Sequence, residues 1–527
     1  MTAPSHVVED QSEAIAFLAD PRSHGGAAVE RIDTHGAVVV LAGERAYKLK
    51  RAVRFPYMDF STLDLRRRAC EAELRLNRRT APSLYLGIAP IARTESGGLA
   101  IGGSGPIVDW LVVMRRFPDD ANFARMAAAG ALDEELVRDL VDAILRFHAA
   151  AERRPDHGGA GGIAWVVAGN DEGLKEAGAA VFPRERVAAL RRRCDAALAR
   201  HAALLEARRA RGLVRHCHGD LHLRNICLFE GKPTLFDAIE FNERIACIDV
   251  LYDLAFLLAD FDRVDLRPFA NLALNRYLAE GARDGGDLGD LDGLAALPLF
   301  LACRAAVRAQ VSAAAAASQP SEAAAARELA AARRSLGQAL AYLAPSPPRL
   351  VAIGGVSGTG KSTLARALAP HLGAAPGAVL LRSDVIRKHL AGRDAEERLT
   401  PAHYTAEWTA RVYAALCARS RAALAAGRAV IVDAVYARPE ERAAIEGVAR
   451  DLGAPFDGLW LEAPRDALEA RIAARVGDAS DATVAVLRRQ LDLPLGALRW
   501  RRLDASLAPD AVAARALAML KGGEAGD

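Results

Sequence analysis

Residues 355–362 read Gly-Val-Ser-Gly-Thr-Gly-Lys-Ser, the spacing G-x-x-x-x-G-K-[ST]. Gly355, Gly358 and Gly360 let backbone N–H groups turn inward around phosphate oxygens, in a cradle completed by Ser357, Thr359 and Thr363. Lys361 would reach the β- and γ-phosphates of a nucleotide, and Ser362 would offer a hydroxyl to Mg²⁺. The competing reading is a glycine-rich turn with an accidental lysine. Lysine is rare here: 7 of the 69 basic residues, at 48, 50, 175, 232, 361, 388 and 521.

A second constellation lies upstream. His218-Gly-Asp-Leu-His-Leu-Arg-Asn225 has the spacing H-x-D-x-x-x-x-N. Asp220 suits a base that orients and deprotonates a hydroxyl, and Asn225 a Mg²⁺ ligand. A strand (NICLF), a turn (EGK) and a strand over Pro233–Ile239 are predicted next, the last carrying Asp237 where a second metal carboxylate belongs. Glu240, three residues on, competes for that role. Ala46-Tyr-Lys48 matches an A-x-K strand whose lysine contacts the α- and β-phosphates. Lys50 shares its strand face. Glu73, or Glu71, on the next helix could hold the lysine by an ion pair.

Further charged residues follow the phosphate loop. Asp384 ends the strand AVLLRS and could accept a proton from an attacking hydroxyl, with Arg387 holding a substrate anion. A helix-capping aspartate beside a solvated arginine is the alternative. Asp433 ends RAVIVD, where a carboxylate meets magnesium, unless it is a plain strand-end cap. Arg471 and Arg475 share a helix face and could close over a transferring phosphate, or merely be solvated. Arg304 and Arg308 share another face, equally open to anion binding or solvation. His148 reads as a packed helix histidine.

These residues need scaffolds. Residues 1–115 alternate short apolar runs with turns, the texture of a small sheet with one helix over Leu63–Thr80. Residues 116–343 read as mainly helical, with a strand-rich interruption at 213–241. The proline-rich stretch 344–349 (APSPPR) is a linker, placing one domain at 1–343 and another at 350–527. From Leu350, strand–loop–helix repeats predict a parallel sheet with crossover helices, strand Leu350–Ile353 and helix Ser362–Leu372 flanking the phosphate loop.

Composition bounds the rest. The net charge of +3 excludes a protein held on DNA by bulk charge. Hydrophobic residues at 51% and charged residues at 26% fit a globular chain. Seven scattered cysteines, with no C-x-x-C pair, suggest neither a disulfide framework nor a zinc site. No leader or membrane span is expected, which points to the cytoplasm.

Residues 350–527 resemble the small-molecule and polynucleotide 5′-hydroxyl kinases of the P-loop class, including gluconate-kinase-like and zeta-toxin-like proteins. GVSGTGKST, the D-x-x-R of Asp384 and Arg387, VIVDA and APRDALEARIAAR carry that resemblance. It implies Asp384 as base and Arg475 as the lid arginine. Roughly residues 30–310 resemble the aminoglycoside phosphotransferase and choline kinase group, through YKLK, VMRRFP, HGDLHLRNI and FDAIEFNERIACIDVLYDLAFL. The order of the two halves resembles bacterial bifunctional aminoglycoside phosphotransferase/ATP-binding proteins. The implied architecture is a bilobal protein-kinase-like fold (small lobe about 1–115, large lobe about 116–343) followed by a doubly wound P-loop fold, α+β then α/β. The resemblance implies Asp220 as base, Asn225 and Asp237 as metal ligands, Lys48 as phosphate lysine, and architectural roles for Asp249 and Asp253. ATP and Mg²⁺ are the expected cofactors, and small-molecule hydroxyls the expected acceptors. A nucleotide-sensing role for one site and a polynucleotide 5′-hydroxyl kinase remain alternatives. Departures include the lack of a G-x-G-x-x-G before Lys48, and Gly219 where H-R-D has arginine, which favours a small-molecule acceptor.

Overall fold

The computed structural model describes residues 6–281, 290–317, 319, 321–395, 397–474 and 480–522. They form two compact units, one within 1–162 and 206–260, the other within 163–205 and 261–527. The contacts thus group residues 163–205 and 261–343 with the phosphate-loop region, across the proline-rich stretch.

In the first unit, six antiparallel strands run in the order Val29–Asp33, Ala37–Ala42, Arg45–Lys50, Ile107–Arg115, Tyr85–Arg93, Leu99–Ile101. The β-branched run AVVVLA suits the second position, paired on both sides and mostly buried. Lys48 lies between Val39 and Val112 in the ladder. The two-residue period turns Lys50 to the same face. Helix Leu63–Asn77 begins at Thr62, whose hydroxyl accepts the Leu65 N–H at 3.3 Å. Its buried residues, Arg66, Ala69, Cys70, Glu73, Leu76 and Asn77, recur at helical spacing and include Glu73. The helix stops three residues short of the expected Thr80, where Asn77 O accepts the Thr80 and Ala81 N–H groups in a turn.

The hairpin Ile226–Phe229/Lys232–Leu235 turns through Glu230 and Gly231, both at positive φ (51° and 75°). The second strand was expected to reach Ile239. It ends at Leu235, and Asp237 leaves it in the left-handed region at φ 62°.

The second unit contains a five-stranded parallel sheet in the order Val379–Arg382, Val430–Asp433, Leu350–Gly354, Phe456–Glu462, Arg501–Asp504. Its three central strands, Val430–Asp433, Leu350–Gly354 and Phe456–Glu462, are mainly apolar and buried, as both-face coverage requires, whereas the edge strand Arg501–Asp504 buries only Leu503. Val351, Ile353, Ile431, Leu459 and Leu461 pack on Leu364 and Leu368 of helix Lys361–Leu368. That helix is followed by a 3-10 turn, Ala369–His371, within the expected Ser362–Leu372. The edge strand Val379–Arg382 is met by helix Arg267–Gly281: Asn271 and Asn275 each donate to Ala378 O at 3.1 Å, and Leu380 N–H donates to Asn275 at 2.7 Å. Side-chain amides thus satisfy a sheet edge. By length and composition alone, helix Leu297–Ala316 could cross a membrane, although Arg304, Arg308 and Gln310 interrupt its apolar run. It carries Arg304, itself buried, and 61% of its 18-residue apolar window is buried inside the fold.

Candidate active sites

Both candidate sites centre on a lysine, and each lies within one unit. In the first, Lys48 Nζ lies 2.9 Å from Glu73 Oε1 and 2.5 Å from Asp237 Oδ1. Glu73 also pairs with Lys50 through its other oxygen, and Lys50 pairs with Glu240. Glu73 is fully buried and bridges both lysines, whereas Glu71 faces Arg67 on the outer side. Burial alone would lower the Lys48 ammonium; Asp237 and Glu73 outweigh it and hold it well above the lysine range. Burial likewise opposes ionisation of Asp237, and Lys48 reverses that, keeping the carboxyl below its ordinary value. Burial raises the Glu240 carboxyl despite Lys50. Asp237 is 42% exposed and Glu240 only 4%. The open side of the network therefore belongs to Asp237, and Glu240 backs Lys50.

Asp220 and Asn225 meet directly. The Asn225 amide donates to the Asp220 carboxylate at 3.2 Å and to its backbone oxygen at 3.0 Å. His222 Nε2 lies 3.2 Å from the same carboxylate. The loop is fastened from below by Asp253, which accepts the His218 and Gly219 N–H groups at 3.1 and 2.9 Å and contacts His148 Nε2 at 3.0 Å. His148 is thus a packed helix histidine, as its context suggested. His218 reaches across to Phe236 O at 2.9 Å, tying the loop to the Asp237 segment. Gly219 has φ 82°, and a Cβ there would lie 3.1 Å from Ile239 and 3.2 Å from Ala246. That is why no arginine stands there. Asp249 is held by the buried Arg208 at 2.7 and 2.8 Å, an architectural pair.

In the second site, Lys361 Nζ donates to Val356 O at 3.0 Å, folded over its own loop. Ser362 donates to Asp433 Oδ2 at 2.5 Å. Gly358 sits at φ 88°, where a Cβ would lie 3.0 Å from Leu468 O. Asp384 was expected at a strand end; the strand stops at Arg382 and Asp384 occupies the first turn of helix Ser383–Leu390. Burial, then the neighbouring Asp433 charge, raises its carboxyl. Arg387 is bonded to His403 O at 2.8 Å and lies over the Tyr404 ring at 5.1 Å. It braces the 401–409 segment rather than the phosphate loop. Arg471 donates to Ala505 O at 2.8 Å, and Arg475 lies outside the described residues.

Several participants have no sequence motif. Arg382 donates to Ser362 Oγ at 3.0 Å and lies 3.5 Å from Asp433. Gln490 accepts the Ser357 N–H at 2.8 Å. Tyr85 accepts the Asp237 N–H at 3.1 Å, and Asn77 the Ala238 N–H at 2.9 Å. Only the strand-end place of Arg382, two residues before Asp384, could have flagged it.

Two sites of this build on these two folds define a phosphotransferase of the kinase type. Residues 52–294 match the phosphotransferase enzyme family, and residues 350–493 match an AAA domain. An uncharacterized protein of Mycobacterium tuberculosis is 32% identical over 475 residues, 88% of this chain and 90% of that protein. The chain belongs to the family in which an aminoglycoside-phosphotransferase-like domain is fused to a P-loop kinase domain. Among solved structures, it is similar to a choline/ethanolamine kinase family protein from Mesorhizobium loti (14% identity, TM-score 0.36, 63% of this chain and 98% of that one). It is also similar to the Mycobacterium tuberculosis APS kinase (20% identity, TM-score 0.24, 34% and 99%).

Proposed function

We propose that this kinase has two ATP sites, divided functionally at the 344–349 linker, each phosphorylating a hydroxyl of a small cytoplasmic molecule. The observation that carries the reading is the Lys48 ammonium held between Glu73 and Asp237, at 2.9 and 2.5 Å, beside the paired Asp220 and Asn225.

In the first site, Lys48 binds the α- and β-phosphates, with Glu73 fixing its position. Asp220 orients the acceptor hydroxyl and takes its proton as the oxygen–phosphorus bond forms and ADP leaves. The donor set fits Mg²⁺: Asn225 gives its amide N–H to Asp220, directing its carbonyl oxygen away, and Asp237 presents a half-exposed carboxylate. Magnesium bound there would neutralise phosphate oxygens. In the second site, the loop Gly355–Thr363 cradles the phosphates, Lys361 neutralises charge, Asp384 serves as base, and Ser362 and Asp433 supply oxygen donors for the metal.

The test is ATP consumption against a metabolite library, with the full chain and with Asp220→Ala and Asp384→Ala. Each variant should lose one set of acceptors and keep the other. Full turnover in both variants would contradict the reading.

A further inference from the structure

Lys388 is one of the seven lysines, and its side chain is only 1% exposed. It sits four residues after Asp384 on helix Ser383–Leu390, so the two side chains are neighbours on one face. Its Nζ lies 3.4 Å from Asp481 Oδ1. The other oxygen of Asp481 accepts the Tyr404 hydroxyl at 2.7 Å and the Leu399 N–H at 3.0 Å. Tyr404 is steadied by the Arg387 guanidinium over its ring. Two hydrogen-bond donors and a buried ammonium 3.4 Å away therefore converge on a single carboxylate. The residue before it, Ser480, hydrogen-bonds the Asp384 carboxylate. Ser480 and Asp481 together place a hydroxyl on the proposed base and a carboxylate one helical turn away.

We infer that Lys388, Tyr404 and the Leu399 N–H form the anion subsite for the second site's acceptor, and that Ser480-Asp481 occupies the acceptor position from within the chain. The acceptor is then a small hydroxy acid, its hydroxyl replacing Ser480 on Asp384 and its acid group replacing Asp481. A buried ammonium needs a counter-charge, so a neutral polyol cannot displace Asp481 without leaving Lys388 unpaired. The inference rests on the reading of Asp384 as the acceptor's base. It also explains why Arg387 is turned to Tyr404: it supports the anion subsite through that ring.

The test uses the full chain carrying Asp220→Ala, so that ATP consumption reports the second site. Glycerate and gluconate are set against the neutral polyols glycerol and sorbitol. At least one acid should be turned over and neither polyol. Lys388→Ala should raise the acceptor KM tenfold or more with the KM for ATP unchanged, and Lys388→Arg should recover part of the loss. Asp481→Ala, which removes the internal competitor, should lower the acceptor KM several-fold. Polyols used as readily as acids, no response to any acid, or an acceptor KM indifferent to Lys388→Ala would each overturn the inference. Failure of the underlying reading has a separate signature: background ATP hydrolysis that survives both Lys361→Ala and Asp384→Ala.

Discussion

Glu73 joins two lysines with one carboxylate: Oε1 lies 2.9 Å from Lys48, and the other oxygen pairs with Lys50. Its side chain is fully buried. Removing one member of a buried ion network costs about 3–5 kcal/mol, because the remaining charges stay desolvated. Glu73→Ala should therefore lower the melting temperature and raise the first site's KM for ATP tenfold or more. Glu71→Ala, on the exposed side of the same helix, should change neither. Thermal denaturation and ATP titration of both variants check this.

The same network sets a pH dependence. Asp237 is held below its ordinary value by Lys48 against the cost of burial, so its contribution is present above the unfolded carboxyl value and lost as pH falls through the lower folded one. Lys48 is held above its ordinary value, so its contribution is complete below the unfolded lysine value and lost only in strong alkali. Denaturation midpoints should be insensitive to this pair between about pH 5 and 9. Below about pH 4 the wild type should lose more stability than Asp237→Asn. Equal losses in both proteins would count against the pairing.

Asp253 supports the His218–Asn225 loop by accepting two backbone N–H groups. Asp253→Ala leaves both buried donors without that acceptor, at about 1–3 kcal/mol each. First-site turnover should fall more than tenfold while second-site turnover is retained. Gly219→Ala should act on the same loop, since φ 82° disfavours a Cβ and Ile239 crowds it. Acceptor-dependent rates for each site, measured in parallel, give the answer.

Arg382 links Ser362 to Asp433 at 3.0 and 3.5 Å. Arg382→Ala should raise the second site's KM for ATP about tenfold, comparable to losing a charge-assisted hydrogen bond. The first site should be unaffected. Nucleotide titration in the Asp220→Ala background reads this directly.

The contiguous motifs were legible in the sequence because their chemistry is local. Gly355–Ser362 needs only a strand, a turn and a helix N-terminus, and His218–Asn225 only one loop. The choice between Asp237 and Glu240 was not legible. It depends on Asp237 entering the left-handed region after Leu235, which turns the two carboxylates toward different lysines. The contacts of Arg382, Lys388 and Asp481 were not legible for a related reason: each is made with partners distant in sequence, and none has a spacing that marks it. The sequence offers Arg387 as the holder of a substrate anion, whereas its contacts in the structure, with His403 and Tyr404, come from another segment.

We propose above all that two separate carboxylates, Asp220 and Asp384, serve two phosphoryl transfers. The most direct test is labelled ATP turnover by the full chain, by Asp220→Ala, by Asp384→Ala and by the double variant, against acceptors from the metabolite screen. Each single variant should abolish transfer to its own acceptor and spare the other, and the double variant should transfer to neither. Phosphorylated product from the double variant at the wild-type rate would contradict the account.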